Sequence, residues 1–125
     1  MVEVEPSYVP DSPSPAQIAA ALEAEGTRLL NKIPSGSCIL PLCIEGKEQS
    51  SEQLAQTLDR LALAGESCIC FVVGGSWGLS PAVKQAGKLC LSMSPMTFPH
   101  QLARVMLCEQ IYRAFQIRAG GKYHK

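Results

Sequence analysis

The chain has 125 residues, 46% of them hydrophobic, and a formal net charge of zero. That length suits one core rather than two domains, and its longest apolar run falls far short of the ~20 residues a membrane-spanning helix needs. The first residues carry Glu3 and Glu5 where a secretory leader is basic and then apolar, so a cytoplasmic protein without membrane contact is expected.

Residues 2–5 (VEVE) are a short strand candidate, followed at 6–15 (PSYVPDSPSP) by a loop that no helix interior or central strand accommodates. Ser14 then Pro15 is a helix start; Ile18, Leu22, Leu29 and Leu30 recur behind it near helical spacing, with Gly26 a weak point. The run at 38–44 (CILPLCI) has strand length, its proline arguing for an edge or a strand end, and EGK at 45–47 reads as a turn. Ser50 and Gln53 make a capping-box pattern for a helix whose Leu54, Leu58 and Leu61 share one face and which Gly65 ends. Residues 67–73 (SCICFVV) are fully apolar, which predicts the centre of the sheet, covered on both faces.

The stretch FVVGGSWGLSP at 71–81 then runs from that strand into Gly74, Gly75 and Gly78. It is no Walker loop, lacking GxxxxGK, and GxGxxG would need glycine at Val73. A tight turn uses glycine for positive φ, whereas a ligand lying against bare backbone uses it for room; composition leaves both open. Ser80-Pro81 starts a short helix through about Ala86, and 88–93 (KLCLSM) reads as a strand. From Pro99, Leu102, Val105, Met106, Ile111, Tyr112 and Phe115 recur at helical steps, opposite Arg104, Glu109, Arg113 and Arg118. Strands alternating with helices predict an α/β fold with a mainly parallel sheet, whose sites gather at the carboxyl ends of the strands.

Six cysteines, Cys38, Cys43, Cys68, Cys70, Cys90 and Cys108, sit in apolar segments without CxxC spacing, which reads as reduced core thiols rather than disulfides or a metal centre. The zero net charge hides an asymmetry: residues 1–66 hold four Lys or Arg against ten Asp or Glu, residues 67–125 seven against one. The cluster Arg113, Arg118, Lys122 and Lys125 leans towards a phosphate-bearing partner.

FVVGGSWGLSP, LSMSPMTFPHQLARVMLCEQIYRAFQI and the terminal YHK, with LCIEGK and SSEQLAQ before them, resemble the ribosomal RNA large subunit methyltransferase H family over nearly the whole chain. That family is of the SPOUT type, and the resemblance implies one domain with an α/β trefoil knot, its knot-forming half at about 67–125. It further implies a homodimer that methylates N3 of a pseudouridine in 23S rRNA of the assembled ribosome, with S-adenosylmethionine as donor and no metal. By the same similarity the donor lies against Leu42 and Cys43, the loop at Gly74 and Gly75, and Ser94, Pro95, Met96, Thr97, Phe98 and Pro99.

The chemistry then needs alignment, exclusion of water and loss of the N3 proton. His124 is the expected base, as a residue type that exchanges protons near neutral pH on a tail resembling the family's active-site tail; Tyr123, Glu109 and Arg113 are expected beside it. Arg104, Arg118, Lys122 and Lys125 are expected to meet RNA phosphates or the subunit interface. His100 is read equally as a packed helix-start histidine or as part of the donor pocket, and Trp77 as a base-stacking or dimer-contact residue. Family members usually carry a further strand and helix ahead of the segment matching VEVE, so the sheet is expected to lack an edge strand; the alternative function is a shortened, non-catalytic RNA- or ribosome-binding module.

Overall fold

The computed structural model describes residues Met1–Lys125. The elements run α1 (Pro15–Lys32), β1 (Cys38–Glu48), α2 (Ser51–Leu63), β2 (Ile69–Val72), α3 (Pro81–Ala86), β3 (Leu91–Ser92) and α4 (His100–Arg118). Local chemistry sets the helix starts. Ser14 and Ser50 each accept the backbone N–H three residues on, while Gln17 and Gln53 reach back to the cap N–H, giving two full capping boxes. Ser80 caps α3 ahead of Pro81, whereas α4 starts at Pro99 with no side-chain cap.

The strands form a parallel three-stranded sheet in the order β2-β1-β3. β1 is therefore central and β2 an edge, the reverse of what the apolar run at 67–73 and Pro41 predict. A parallel strand tolerates proline where its missing N–H faces no acceptor. The N–H and C=O of alternate residues point the same way, and Ile39 C=O accepts Lys88 N–H at 2.8 Å, so the Pro41 nitrogen faces the β3 side. The ladder there begins only beyond it, at Leu42↔Leu91. Residues 45–47 are likewise no turn: β1 continues through them to Glu48, with a register shift between Leu42 and Lys47, both of which pair with Leu91. Lys47 N–H bonds Cys90 C=O at 2.9 Å, so the irregularity keeps the ladder connected.

Alternation along β1 feeds two cores. Cys38 and Leu40 pack with Leu54, Leu58 and Leu61 of α2, Leu91 of β3 and Ala114 of α4 on one face; Ile39 packs on the other, with Leu29 and Leu30 of α1 against Val72, Leu79 and Val83. Gly26 of α1 is buried because a Cβ there would meet Ser80 Oγ at 2.3 Å; it lets α1 lie against the start of α3. Cys38 alone of the six thiols is buried, and Cys68 and Cys108 are exposed, so the cysteines do not form a core set. Apolar neighbours in sequence had suggested burial that the short, half-covered strands do not supply.

Residues 2–5 form no strand. A strand needs a neighbour for its ladder, and here side chains take the backbone groups instead: Arg28 Nε donates to Glu5 C=O at 3.1 Å, Ser7 N–H donates to Glu25 at 2.7 Å, and Glu3 pairs with Arg104. The N-terminal segment is thus strapped to α1 and α4. On α4 the apolar positions split. Leu107 and Ala114 are buried, while Leu102, Val105, Tyr112 and Phe115 are exposed, so most of the apolar stripe faces away from this core. No helix is long and apolar enough to cross a membrane.

Candidate active site

The end of β2, the segment after β3 and the middle of β1 open on one cleft of about 160 Å³. Leu42 and Cys43 lie where β1 has run past its pairing with β2. Burial, then a hydrogen bond with Cys90, push the Cys43 thiol up to about 11; it stays protonated and acts as apolar wall.

The glycine loop shows what each glycine does. Gly78 has φ +85°, and its N–H bonds Gly75 C=O at 3.1 Å to close a four-residue turn. A Cβ on Gly74 would strike Gly78 C=O oxygen at 2.5 Å, so Gly74 permits that closure. Gly75 has no positive φ, and a Cβ there meets nothing within 4 Å. It is neither a turn requirement nor a packing requirement, and it lines the cleft.

The third wall is the segment after β3. Ser92 Oγ donates to Ser94 C=O at 3.1 Å and Met96 N–H donates to Ser94 Oγ at 3.0 Å, which fixes the bend that turns Met96, Thr97 and Phe98 into the lining. Met96 is 68% exposed, so it is rim and not core. Exposed His100, at the start of α4, and Ala103 complete the cleft. No Asp, Glu, Lys or Arg lines it. Pro95 and Pro99 border it without lining it.

Tyr123, His124, Glu109 and Arg113 come together, but elsewhere. Arg113 donates from Nε and Nη2 to Glu109 Oε1 at 2.9 and 2.7 Å, and Tyr123 OH donates to the same oxygen at 3.2 Å. The guanidinium also lies over the Tyr123 ring, 4.8 Å from its centroid. Arg113 Nη1 is 3.0 Å from His124 Nδ1; a guanidinium only donates, so Nδ1 accepts and the ring proton sits on Nε2, which donates to Glu52 of α2 at 2.5 Å. The Arg113 hydrogen bonds hold the Glu109 carboxyl below the usual carboxylate range, and His124 does the same for Glu52. Arg113 is ten residues beyond cleft-lining Ala103, about 15 Å along the helix. The docked tail is therefore built apart from its own cleft.

The remaining cations split as well. Arg104 pairs with Glu3 and Arg118 with Asp59 at 2.6 Å, while Lys122 and Lys125 are exposed and form no ion pair. Arg104 Nε is buried without a hydrogen-bond partner. Sequence reasoning missed Ser92, Ser76 and Ile44 in the cleft and Glu52 beside the tail; Glu52 lies 72 residues from His124, and only the packing of α2 on α4 reveals the pair.

A family model described as "Predicted SPOUT methyltransferase" matches residues 1–124. The chain belongs to the SPOUT methyltransferase family. It is 48% identical over 125 residues to a protein of Bacillus cytotoxicus named "Ribosomal RNA large subunit methyltransferase H", a match that covers 100% of this chain and 79% of the relative. Proteins of the same name from Bacillus pumilus and Bacillus thuringiensis are 47% and 46% identical with the same coverage. As a SPOUT family member the chain has the α/β class with the parallel sheet that its strand and helix alternation predicts.

Proposed function

We propose that this chain is an S-adenosylmethionine-dependent rRNA methyltransferase that works as a homodimer and methylates N3 of a pseudouridine in 23S rRNA on the assembled ribosome. One observation carries the reading: in a SPOUT chain, the end of β2, the segment after β3 and the middle of β1 converge on a cleft where Gly75 leaves backbone bare with no conformational need for glycine. The names of the relatives support rRNA of the large subunit as substrate. The pseudouridine and its N3 rest on the resemblance of LSMSPMTFPHQ and YHK to the methyltransferase H family.

The lining fits the donor. Leu42, Met96 and Phe98 offer apolar wall for a purine or thioether arm, Ser94 and Thr97 offer hydroxyls, and the protonated Cys43 adds no charge. When bound, the donor would supply an electrophilic methyl with its leaving group built in. The chain's part is to align the acceptor nitrogen, exclude water and take up the imide proton.

The tail network supports roles for that last task. Glu109, held ionised by Arg113, is a weak base and serves as the positioning residue for Arg113 and Tyr123. Arg113 brings positive charge that favours an imide anion. His124 is the base; with its ring proton on Nε2 toward Glu52, the basic Nδ1 is held by Arg113 in the docked tail, so it acts after Nδ1 leaves Arg113.

The exposed stripe of Leu102, Val105, Tyr112 and Phe115 supports the homodimer. It runs about 20 Å along α4, and a second copy of the same stripe is its complement. A two-fold contact would set the carboxyl half of one α4 beside the amino half of the other. That is the arrangement in which the tail cluster of one chain approaches the cleft of its partner.

The test is methyl transfer from labelled S-adenosylmethionine to ribosomes lacking this modification. Label in 23S rRNA that requires prior pseudouridylation is the expected result. No label from a protein that dimerises and binds donor refutes the enzyme. It leaves the non-catalytic RNA- or ribosome-binding module.

A further inference from the structure

Trp77 sits at the tip of the glycine turn and is 51% exposed. The turn is braced on both sides: Val72 before it and Leu79 and Ser80 after it are buried, and the Gly78 to Gly75 hydrogen bond closes it. A large apolar ring is thus held out from the protein on a short rigid arm. Ser76 and Gly78, its immediate neighbours, line the cleft, and so does Met96, another exposed apolar side chain. About half of the indole stays in water, which forgoes part of the stabilisation that full burial would bring.

We infer that Trp77 is a stacking platform for an unpaired nucleobase at the mouth of the cleft. This deepens the rRNA reading and rests on it for the identity of the polymer. An exposed, pre-ordered aromatic face is what single-stranded nucleic acid uses for base-by-base contact. The rigidity of the turn matters because little conformational entropy is then lost on stacking. The cleft lining has no cation to attract phosphate, so a neutral, planar contact suits its mouth.

Trp77 is the only tryptophan, so the intrinsic emission of the protein reports on this side chain directly. The probe is a short single-stranded oligoribonucleotide with one pseudouridine, titrated up to millimolar concentration, with the same strand in a full duplex as control. The expected result is saturable quenching by the single strand and none by the duplex. Trp77→Ala should weaken binding of the strand, followed by anisotropy of a labelled copy, about 5- to 140-fold, the range that stacking of one base supplies. Trp77→Phe should recover most of it, and both variants should bind S-adenosylmethionine like the parent. Unchanged emission with bound strand, no binding of the strand at all, or equal affinity in Trp77→Ala overturns the inference. So does conversion of the Trp77→Ala protein to monomer in sedimentation, which would make the indole an interface residue. Quenching that persists in a protein without transferase activity would uphold the platform and reject the enzyme, so the two proposals fail separately.

Discussion

Replacing Gly75 with valine separates the binding role of the glycine loop from its folding role. The backbone at Gly75 lies outside the positive-φ region, and a Cβ meets nothing within 4 Å, so Gly75→Val should fold with a urea midpoint close to that of the parent. Three added carbons occupy roughly 90 Å³ if each takes about the share of a water molecule, more than half of a cleft of about 160 Å³. Forcing a ligand past that bulk costs about 1–3 kcal/mol by the measure of overpacked cores, hence a loss of donor affinity of roughly 5- to 140-fold. Gly74→Ala is the contrasting change. Its Cβ would lie 2.5 Å from the Gly78 carbonyl oxygen, a backbone atom that moves only if the turn opens, so stability should fall by about 1–3 kcal/mol. Calorimetric titration with S-adenosylmethionine and urea unfolding measure the two quantities. Parent-like affinity in Gly75→Val, or equal destabilisation by both substitutions, would refute the assignment of Gly75 to the ligand and Gly74 to the turn.

Val105→Glu puts a charge in the middle of the exposed α4 stripe and should convert dimer to monomer in sedimentation while leaving the far-ultraviolet dichroism intact; an unchanged dimer moves the interface elsewhere. Truncation after Lys122 removes Tyr123 and His124 and should lower transfer by at least ~100-fold, the usual scale of a lost acid–base group, with donor affinity retained; full activity shows the tail to be dispensable. The Glu45–Lys84 pair ties β1 to α3, each partner mainly through its hydrogen bond to the other: Lys84 lowers the Glu45 carboxyl and Glu45 raises the Lys84 ammonium. Its stabilisation is therefore present between the ordinary carboxylate and ammonium ranges, is lost on the acid side as pH falls through the lowered carboxyl value and on the alkaline side as pH rises through the raised ammonium value. For so exposed a pair it amounts to at most about 1 kcal/mol. A double-mutant cycle with Glu45→Gln and Lys84→Met should give coupling at pH 7 that fades as pH falls through the lowered carboxyl value; coupling that stays constant down to acid unfolding would contradict the charge assignment.

Where local chemistry decides, the sequence was legible. The Ser14-Pro15 and Ser80-Pro81 starts, the Ser50/Gln53 capping box and the α2 face of Leu54, Leu58 and Leu61 all stand where the residues place them. Sheet order was not legible. The most apolar run became an edge because strand position depends on which neighbours pair, and Pro41 passed through the centre because β3 is only two residues long. The α4 stripe shows a second limit: periodicity marks an apolar face without saying whether this chain or another covers it. At the site, Leu42, Cys43, Gly74, Gly75, Ser94, Met96, Thr97 and Phe98 line one cleft. The tail residues converge too, but on Glu52 and away from their own cleft.

The charge asymmetry has a different use from the one it first suggests. Three ion pairs link a cation of residues 67–125 to a carboxylate of residues 1–66: Lys84 with Glu45, Arg104 with Glu3, and Arg118 with Asp59; His124 adds an N–H donor to Glu52. Arg113 is taken by Glu109 within α4. The opposite charges of the two halves thus largely neutralise each other, and the second half offers RNA chiefly the exposed Lys88, Lys122 and Lys125. With about three phosphate contacts on a single strand, the logarithm of affinity should fall against the logarithm of salt with a slope near −2, from roughly −0.7 per contact. Such a slope would mean that a preassembled surface, and not electrostatic capture, selects the target. A slope steeper than about −4 would show that the arginines leave their carboxylates on binding, and would return the charge asymmetry to the role of a polyanion site.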